Sequence, residues 1–171
     1  MSTNAHILLK ETDGTIQQIY SHWDGYLTGV GHELFIHFQD ELKVRKLFAL
    51  GDASCIGEFL EPSEMTRKFG FGPDWIKLQD ISEKVVNDLR AEDRHHCKFY
   101  HRDRNEPWKD VKPNKYLSLA EYEASITEGW IEYVYLYSVE SHSWFYCKQD
   151  PESIDFAPLT ASVVDDTTTL N

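Results

Sequence analysis

Long apolar runs are missing from this sequence of 171 residues. No run approaches the roughly 20 residues that a membrane-spanning helix needs, so we expect no membrane protein. Residues 1–10 have neither the basic start nor the apolar stretch of a secretory signal peptide. We therefore expect the protein to stay in the cytoplasm of the cell that makes it.

Cysteine is scarce, and the three that are present, Cys55, Cys97 and Cys147, lie far apart. They form no CxxC pair and no spacing typical of a zinc site. The sequence therefore predicts reduced thiols rather than a disulfide framework. No metal and no other cofactor are predicted.

Basic side chains are few relative to acidic ones: 17 lysines and arginines stand against 29 aspartates and glutamates, a net charge of −12. Such a surface repels the phosphates of nucleic acids, which argues against direct binding of DNA or RNA over a broad face. An acidic surface can instead dock on a basic one, such as the nucleic-acid channel of another protein. The alternative interpretation is that the negative charge serves solubility alone.

Two pairs of β-prone runs predict two hairpins, one near each end of the chain: 5–10 with 16–20, and 130–137 with 144–148. Asp13-Gly14, between the first two runs, is a strong signal for a tight turn. The second hairpin carries a row of tyrosines, Tyr133, Tyr135 and Tyr137, on one face of a strand. Such a row indicates either packing across the sheet or an exposed protein interface.

Helices are predicted between the hairpins. Apolar residues recur at helical spacing over 34–50, which predicts one bent helix or two short ones. Asp40 is a candidate N-cap within this stretch and Gly51 a natural end. Ser118 and Glu121 match a capping box at the start of a later helix.

Together these elements predict an α+β fold. We expect a mainly antiparallel sheet with N- and C-terminal hairpins and with helices packed on one face. The single domain is expected to span residues 1–149. Residues 150–171 hold acidic and threonine residues without lysine or arginine, and predict a mobile tail.

Two short clusters carry the residue types of acid–base chemistry. His22 and Asp24 form the first; His101 and Asp103 form the second, at the end of a predicted strand over 96–102. Residues two apart on a strand share a face, so the two pairs could meet if their strands are neighbours. We take these four residues as the catalytic candidates. No HxxxH or HExxH motif is present, and no metal site is predicted.

Tyr26, Arg102 and Arg104 are the candidate ligand-binding residues, because arginine suits an anion or a nucleotide. Neither a GxGxxG pattern nor a P-loop accompanies them. The alternative interpretation is structural, with Asp103 paired to its arginine neighbours and Asp24 forming a tight turn.

Three segments together resemble a known group of proteins: IYSHWDGY at 19–26, LFALGD at 47–52 and YHRDR at 100–104. They are similar to small, uncharacterised proteins of bacteriophages and mobile elements. The resemblance implies an accessory gene product inside a bacterial host cell. It assigns a role to no residue.

The leading hypothesis is a phage-type accessory binding protein that inhibits a host defence or nucleic-acid-handling complex, for example a CRISPR or restriction system, through its acidic surface. Its partner would be a host protein or protein complex. The alternative is a small enzyme or ligand-binding protein that acts on a nucleotide or phosphate compound through the two histidine–aspartate clusters. The lack of a catalytic motif favours the binding protein.

Overall fold

The chain folds around a mixed sheet with helices on both of its faces. The computed structural model describes residues 2–126, 130–149 and 154–165. The strands within these residues are β1 (Ala5–Lys10), β2 (Ile16–Ser21), β3 (Ala53–Cys55), β4 (Lys98–Phe99), β5 (Asn114–Tyr116), β6 (Tyr133–Ser138), β7 (Ser143–Lys148) and β8 (Ala157–Pro158). The helices are α1 (His32–His37), α2 (Glu41–Ala49), α3 (Glu64–Phe69), α4 (Trp75–Leu78), α5 (Glu83–Asp93), α6 (Tyr100–Arg104), α7 (Trp108–Val111), α8 (Leu119–Ser125) and α9 (Ala161–Val164). A π-helical turn, Leu27–Gly31, precedes α1.

The N-terminal hairpin is confirmed. β1 and β2 are antiparallel, and the turn between them uses the predicted residues. Gly14 has φ +87°, a left-handed conformation that glycine adopts without steric cost. The Asp13 carboxylate accepts a hydrogen bond from the Thr15 amide at 3.0 Å, which closes the turn.

The predicted α+β class is confirmed, and the sheet is mixed rather than mainly antiparallel. Its strand order is β4-β3-β2-β1-β6-β7-β8, with β5 pairing separately with β2. β6 and β7 form the predicted C-terminal hairpin. The first strands of the two hairpins, β1 and β6, lie side by side and are parallel, as are β2 and β3. The parallel β1–β6 pairing joins the two ends of the chain at the centre of the sheet.

Each face of the sheet carries its own apolar core, so helices lie on both faces and not on one. Leu34 of α1 and Leu47 of α2 pack in the first core, against side chains such as Ile7 of β1. Tyr122 of α8 packs in the second core, against Leu8 of the same strand. Successive side chains of a strand point to opposite faces, which places Ile7 and Leu8 in different cores.

The tyrosines of β6 are buried, which confirms their interpretation as packing residues. Tyr133, Tyr135 and Tyr137 all belong to the first core. The Tyr135 hydroxyl donates to the carbonyl oxygen of Gly25 at 2.7 Å. The row therefore ties the second hairpin to the loop after β2 and presents no interface.

The predicted helix signals are confirmed at both places. The stretch from 34 to 50 forms two short helices, and the Asp40 carboxylate accepts from the Leu42 amide at 3.1 Å to cap the second. The Ser118 hydroxyl accepts from the Glu121 amide at 3.1 Å to cap α8. These caps depend only on groups two or three residues apart.

Part of the predicted tail lies against the sheet. Among the described residues 154–165, β8 pairs with β7, and Leu159 and Val164 are buried. Residues 150–153 and 166–171 lie outside the described residues, and the division into a domain and a mobile tail stays a prediction. No helix in the described part of the chain has the length and apolar character to cross a membrane.

We expect Gly25→Ala to lower the free energy of unfolding by about 2 kcal/mol, because the added methyl group forces backbone to move. A Cβ at Gly25 would lie 2.7 Å from the Thr3 carbonyl oxygen and 2.9 Å from the Asn4 carbonyl carbon. Gly72→Ala is the control, since nothing lies within 4 Å of its added Cβ. Urea denaturation measures both variants, and equal stability of the two would contradict the prediction.

Candidate functional site

The outer edge of β2 is shared between two short strands. Residues 16–18 pair with β5, and Ser21 pairs with β3. Between these pairings the Tyr20 amide donates to Oδ1 of Asp52 at 2.9 Å. A carboxylate thus takes the place that a strand would occupy at the middle of this edge.

Asp52 is held in this position by its own backbone. It follows Gly51, which ends the segment after α2 with φ +78°. The Asp52 amide donates to the Val111 carbonyl at 2.8 Å, and the Tyr100 amide donates to the Asp52 carbonyl at 3.1 Å. Both backbone groups of Asp52 are therefore fixed by segments distant in sequence.

Four rings form a continuous row along this end of β2, which we call the aromatic row: Trp23, His22, Tyr20 and Trp130. Neighbouring ring centroids lie 4.7 Å apart for Trp23 and His22, 5.9 Å for His22 and Tyr20, and 5.7 Å for Tyr20 and Trp130. The Tyr20 hydroxyl and Nδ1 of His22 are hydrogen-bonded at 2.7 Å. The tryptophans at the two ends of the aromatic row are half exposed: Trp23 is 48% exposed and Trp130 is 54% exposed.

A cleft of about 410 Å³ lies beside Tyr20 and Trp130. We call it the Asp52 cleft, and its lining residues are His6, Gln18, Tyr20, Asp52, Asn114, Tyr116, Ser125, Ile126, Trp130 and Ile131. Nδ1 of His6 is hydrogen-bonded to the Tyr122 hydroxyl at 2.8 Å. The Asn114 amide donates to Oε1 of Gln18 at 3.0 Å. Hydrogen bonds from strands and from α8 thus order its polar wall.

Burial shifts the titration of three groups in this cleft. Desolvation raises the pKa of Asp52 to about 6, and the charge of Glu106 adds to the rise. Desolvation also lowers the pKa of His6 to about 4 and raises that of Tyr20 to about 12. Near pH 7 Asp52 is therefore ionised, whereas His6 and Tyr20 are neutral.

The first predicted cluster is divided between two settings. His22 belongs to the aromatic row, whereas Asp24 is exposed in the loop after β2, with φ +57°. Its carboxylate accepts from the Tyr26 hydroxyl at 3.1 Å. Asp24 and Tyr26 thus contact each other, and they are absent from the lining of the Asp52 cleft.

The second predicted cluster lies on a helix, so the predicted strand over 96–102 is wrong beyond Phe99. α6 begins at Tyr100 because the Asp103 carboxylate accepts from the Phe99 amide at 2.8 Å and stabilises the first turn. His101 is exposed, and its Nδ1 is hydrogen-bonded to the Glu106 carbonyl at 2.7 Å. The helix therefore separates the side chains of His101 and Asp103, which the strand would have placed on one face.

The arginines of this cluster are already engaged. Arg102 forms two bonds to Asp103, at 2.9 and 3.0 Å, and also donates to the carbonyl of Leu60. The guanidinium of Arg104 lies 4.7 Å from the centre of the Tyr100 ring and pairs with Glu106. Arg102 thus joins α6 to the loop at Leu60, a structural role.

Among the described residues, no hydrogen bond, ion pair or ring contact joins the two predicted clusters. No group of three or more histidine, cysteine, aspartate or glutamate side chains there could hold a metal. His6, Asp52 and Trp130 are not among the site residues predicted from the sequence. One signal for His6 exists: a hairpin centred on Asp13-Gly14 places it directly opposite Tyr20, as observed. Asp52 and Trp130 have no such local signal.

Comparison of the chain with protein-family models, with curated proteins and with solved structures finds no match. The resemblance to phage and mobile-element proteins stays a prediction.

We expect Arg102→Met to destabilise the protein by about 3 kcal/mol, because it leaves the carboxylate of Asp103 buried without its cation. The Asp103 side chain is only 3% exposed. Arg104→Met is the matched control: half of that side chain is exposed, and its loss should cost less than about 1 kcal/mol. Chemical denaturation measures both. Similar losses in the two variants would contradict a structural role specific to Arg102.

We expect Asp52→Asn to stabilise the protein at pH 7 but not at pH 4. The folded pKa of Asp52 lies above its ordinary value of 3.8, so the folded state holds the proton more tightly. Stability from this group is therefore lost as pH rises from about 4 to 6. Asparagine does not titrate, and its oxygen can still accept from the Tyr20 amide.

The gain at pH 7 should be about 1 kcal/mol, after allowance for the partial exposure of the side chain. Urea denaturation at both pH values measures it, with Asp110→Asn as an exposed control. A difference between variant and wild type that does not change with pH would show that Asp52 titrates normally.

Proposed function

We propose that the chain is a binding protein that docks on a basic surface of a partner protein through the aromatic row. The observation that carries the proposal is the pair of tryptophans, Trp23 and Trp130, each about half exposed at opposite ends of one row. Exposed tryptophan is enriched at the energetic centres of protein interfaces, where burial of the ring dominates affinity.

The charge around the row favours a basic partner. Asp24 follows Trp23 and Glu132 lies two residues after Trp130, and both acidic residues are exposed. Aromatic faces attract lysine and arginine, and neighbouring carboxylates add to that attraction. The net charge of −12 also speeds encounter with a positive surface and disfavours nucleic acid as the direct partner.

The basic partner fits the leading hypothesis from the sequence. The nucleic-acid channel of a protein is basic. A second protein that occupies the channel inhibits the protein to which the channel belongs. In this proposal the chain is a phage-type accessory protein in the host bacterial cytoplasm that inhibits a defence or nucleic-acid-handling complex, such as a CRISPR or restriction system. Support for this context comes from the charge, the aromatic row and the resemblance of the three segments.

The alternative, a small enzyme or ligand-binding protein for a nucleotide or phosphate compound, has less support. It needs arginine for the anion, but Arg102 pairs with buried Asp103 and Arg104 pairs with Glu106. The Asp52 cleft, in turn, has no lysine or arginine among its described lining residues. A carboxylate in that cleft repels phosphate.

The test is affinity capture of partners from a bacterial lysate on the tagged protein and on its Trp23→Ala and Trp130→Ala variants. A partner of the aromatic row should bind the wild type and be lost from both variants, since truncation of a central tryptophan costs at least about 2 kcal/mol of binding. Trp108→Ala, an exposed tryptophan that contacts His101 instead, is the control and should retain the partner.

Two further measurements test the basic character of the partner. Binding should weaken steeply from low to high salt, because salt screens the attraction between opposite charges. Duplex DNA should compete with the chain if the occupied surface is a nucleic-acid channel. A partner that both tryptophan variants retain, or that binds equally at all salt concentrations, would contradict the proposal.

A further inference from the structure

The Asp52 cleft contains a carboxylate that lacks a cation. Oδ1 of Asp52 accepts from the Tyr20 amide, whereas Oδ2 has no hydrogen-bond partner among the described residues. No lysine or arginine lines the cleft there, and the charge that acts on Asp52 is that of another carboxylate, Glu106. A partly buried carboxylate in this setting is stabilised by any cation that reaches it.

The walls of the cleft suit a cation as well. Trp130 is half exposed, and its ring lies 5.7 Å from Tyr20 and 6.2 Å from His6, between centroids. Aromatic faces attract cations, tryptophan most strongly. His6, which burial keeps neutral, does not oppose a positive guest. In either tautomer of the neutral imidazole, Nε2 of His6 has no protein partner among the described residues.

Polar groups next to Asp52 offer further acceptors. Asn114 donates its side-chain NH₂ to Gln18, and its own carbonyl oxygen has no partner within the described residues. This oxygen and Oδ2 of Asp52 both belong to residues that line the same cleft. Two acceptors match a guest with several N–H donors, such as a guanidinium, which carries five.

We propose that the Asp52 cleft receives an arginine side chain of the partner protein, whose guanidinium packs against Trp130 and pairs with Asp52. The inference rests on the proposed function and names the group that the docking surface recognises. Arginine fits better than lysine, because its planar guanidinium is weakly hydrated, stacks on aromatic rings and donates to two acceptors at once. A cleft of about 410 Å³ has room for this side chain.

The test uses N-acetyl-arginine amide and N-acetyl-citrulline amide, which have similar shape but differ in charge. Each is titrated into the ¹⁵N-labelled protein, and the indole N–H signals of the five tryptophans are followed by NMR. The arginine compound should shift the Trp130 signal and bind at least about tenfold more tightly than the citrulline compound, the ratio for a loss of about 1.4 kcal/mol. N-acetyl-lysine amide should bind more weakly than the arginine compound.

Variants locate the binding. Asp52→Asn and Trp130→Ala should each weaken binding of the arginine compound about tenfold or more. Asp110→Asn removes an exposed carboxylate that does not line the cleft and should leave binding unchanged. The amide spectrum of each variant shows whether it is folded. Asp52→Asn retains the acceptor for the Tyr20 amide, so the fold should survive.

Equal affinity for citrulline and arginine would overturn the inference, as would a Trp130 signal that does not move or an affinity unchanged in Asp52→Asn. Lysine that binds as tightly as arginine would overturn the assignment to a guanidinium. These failures are separable from that of the proposed function: a partner captured through Trp23 and Trp130 without arginine binding leaves the docking surface intact. Arginine binding without any tryptophan-dependent partner contradicts the docking surface and leaves only a cleft that binds a guanidinium.

Discussion

The burial of β1 on both faces and both edges is the constraint on which the rest of the structure depends. The strand pairs with β2 on one side and with β6 on the other. Ile7 and Leu9 fill the first core, and Leu8 fills the second. Burial of each such side chain contributes on the order of 1.5–3 kcal/mol to the free energy of unfolding. This contribution fixes the register in which β2 and β6 pair with β1. Only His6 of this strand contributes a side chain to the Asp52 cleft.

The position of the candidate site follows from that constraint. Apolar side chains fill both faces at the centre of the sheet, and the polar groups of the cleft lie where β2 has no continuous neighbour. There the Asp52 carboxylate accepts the Tyr20 amide that a strand would otherwise bind. The same residue, Tyr20, lies in both the aromatic row and the Asp52 cleft. The interrupted edge therefore places the aromatic row, the proposed docking surface, beside this carboxylate.

Local signals in the sequence were sufficient for much of the fold. The turn at Asp13-Gly14 and the cap at Asp40 each depend on a hydrogen bond between residues two apart in sequence. Neither of them requires a contact with a distant segment. The parallel pairing of β1 with β6 has no such signal, because it joins segments from opposite ends of the chain. A parallel pair is set by packing between distant elements and not by turn chemistry.

α6 shows how tertiary contacts override a local pattern. The alternation over 96–102 is typical of a strand, but the Tyr100 amide donates to the Asp52 carbonyl and the Asp103 carboxylate accepts from Phe99. The first of these bonds exists only in the folded chain. Among the residues of the candidate site, His22 was predictable, because the rings that it contacts, those of Tyr20 and Trp23, lie within two residues of it in sequence. Asp52 and Trp130 were not, since three distant segments must meet to form the cleft.

In the proposed function, net charge and the cleft act over different distances, and selective binding needs both. A charge of −12 attracts any basic surface, but salt screens it beyond about 8 Å at physiological ionic strength. Such attraction speeds encounter without choosing a partner. Selection requires a short-range group that is costly when unpaired, and Asp52 is one: the free protein holds a partly desolvated carboxylate whose pKa has risen to about 6. In the proposed complex, a guanidinium in the cleft would remove that cost, so the carboxylate that weakens the free fold would favour binding of the matching partner.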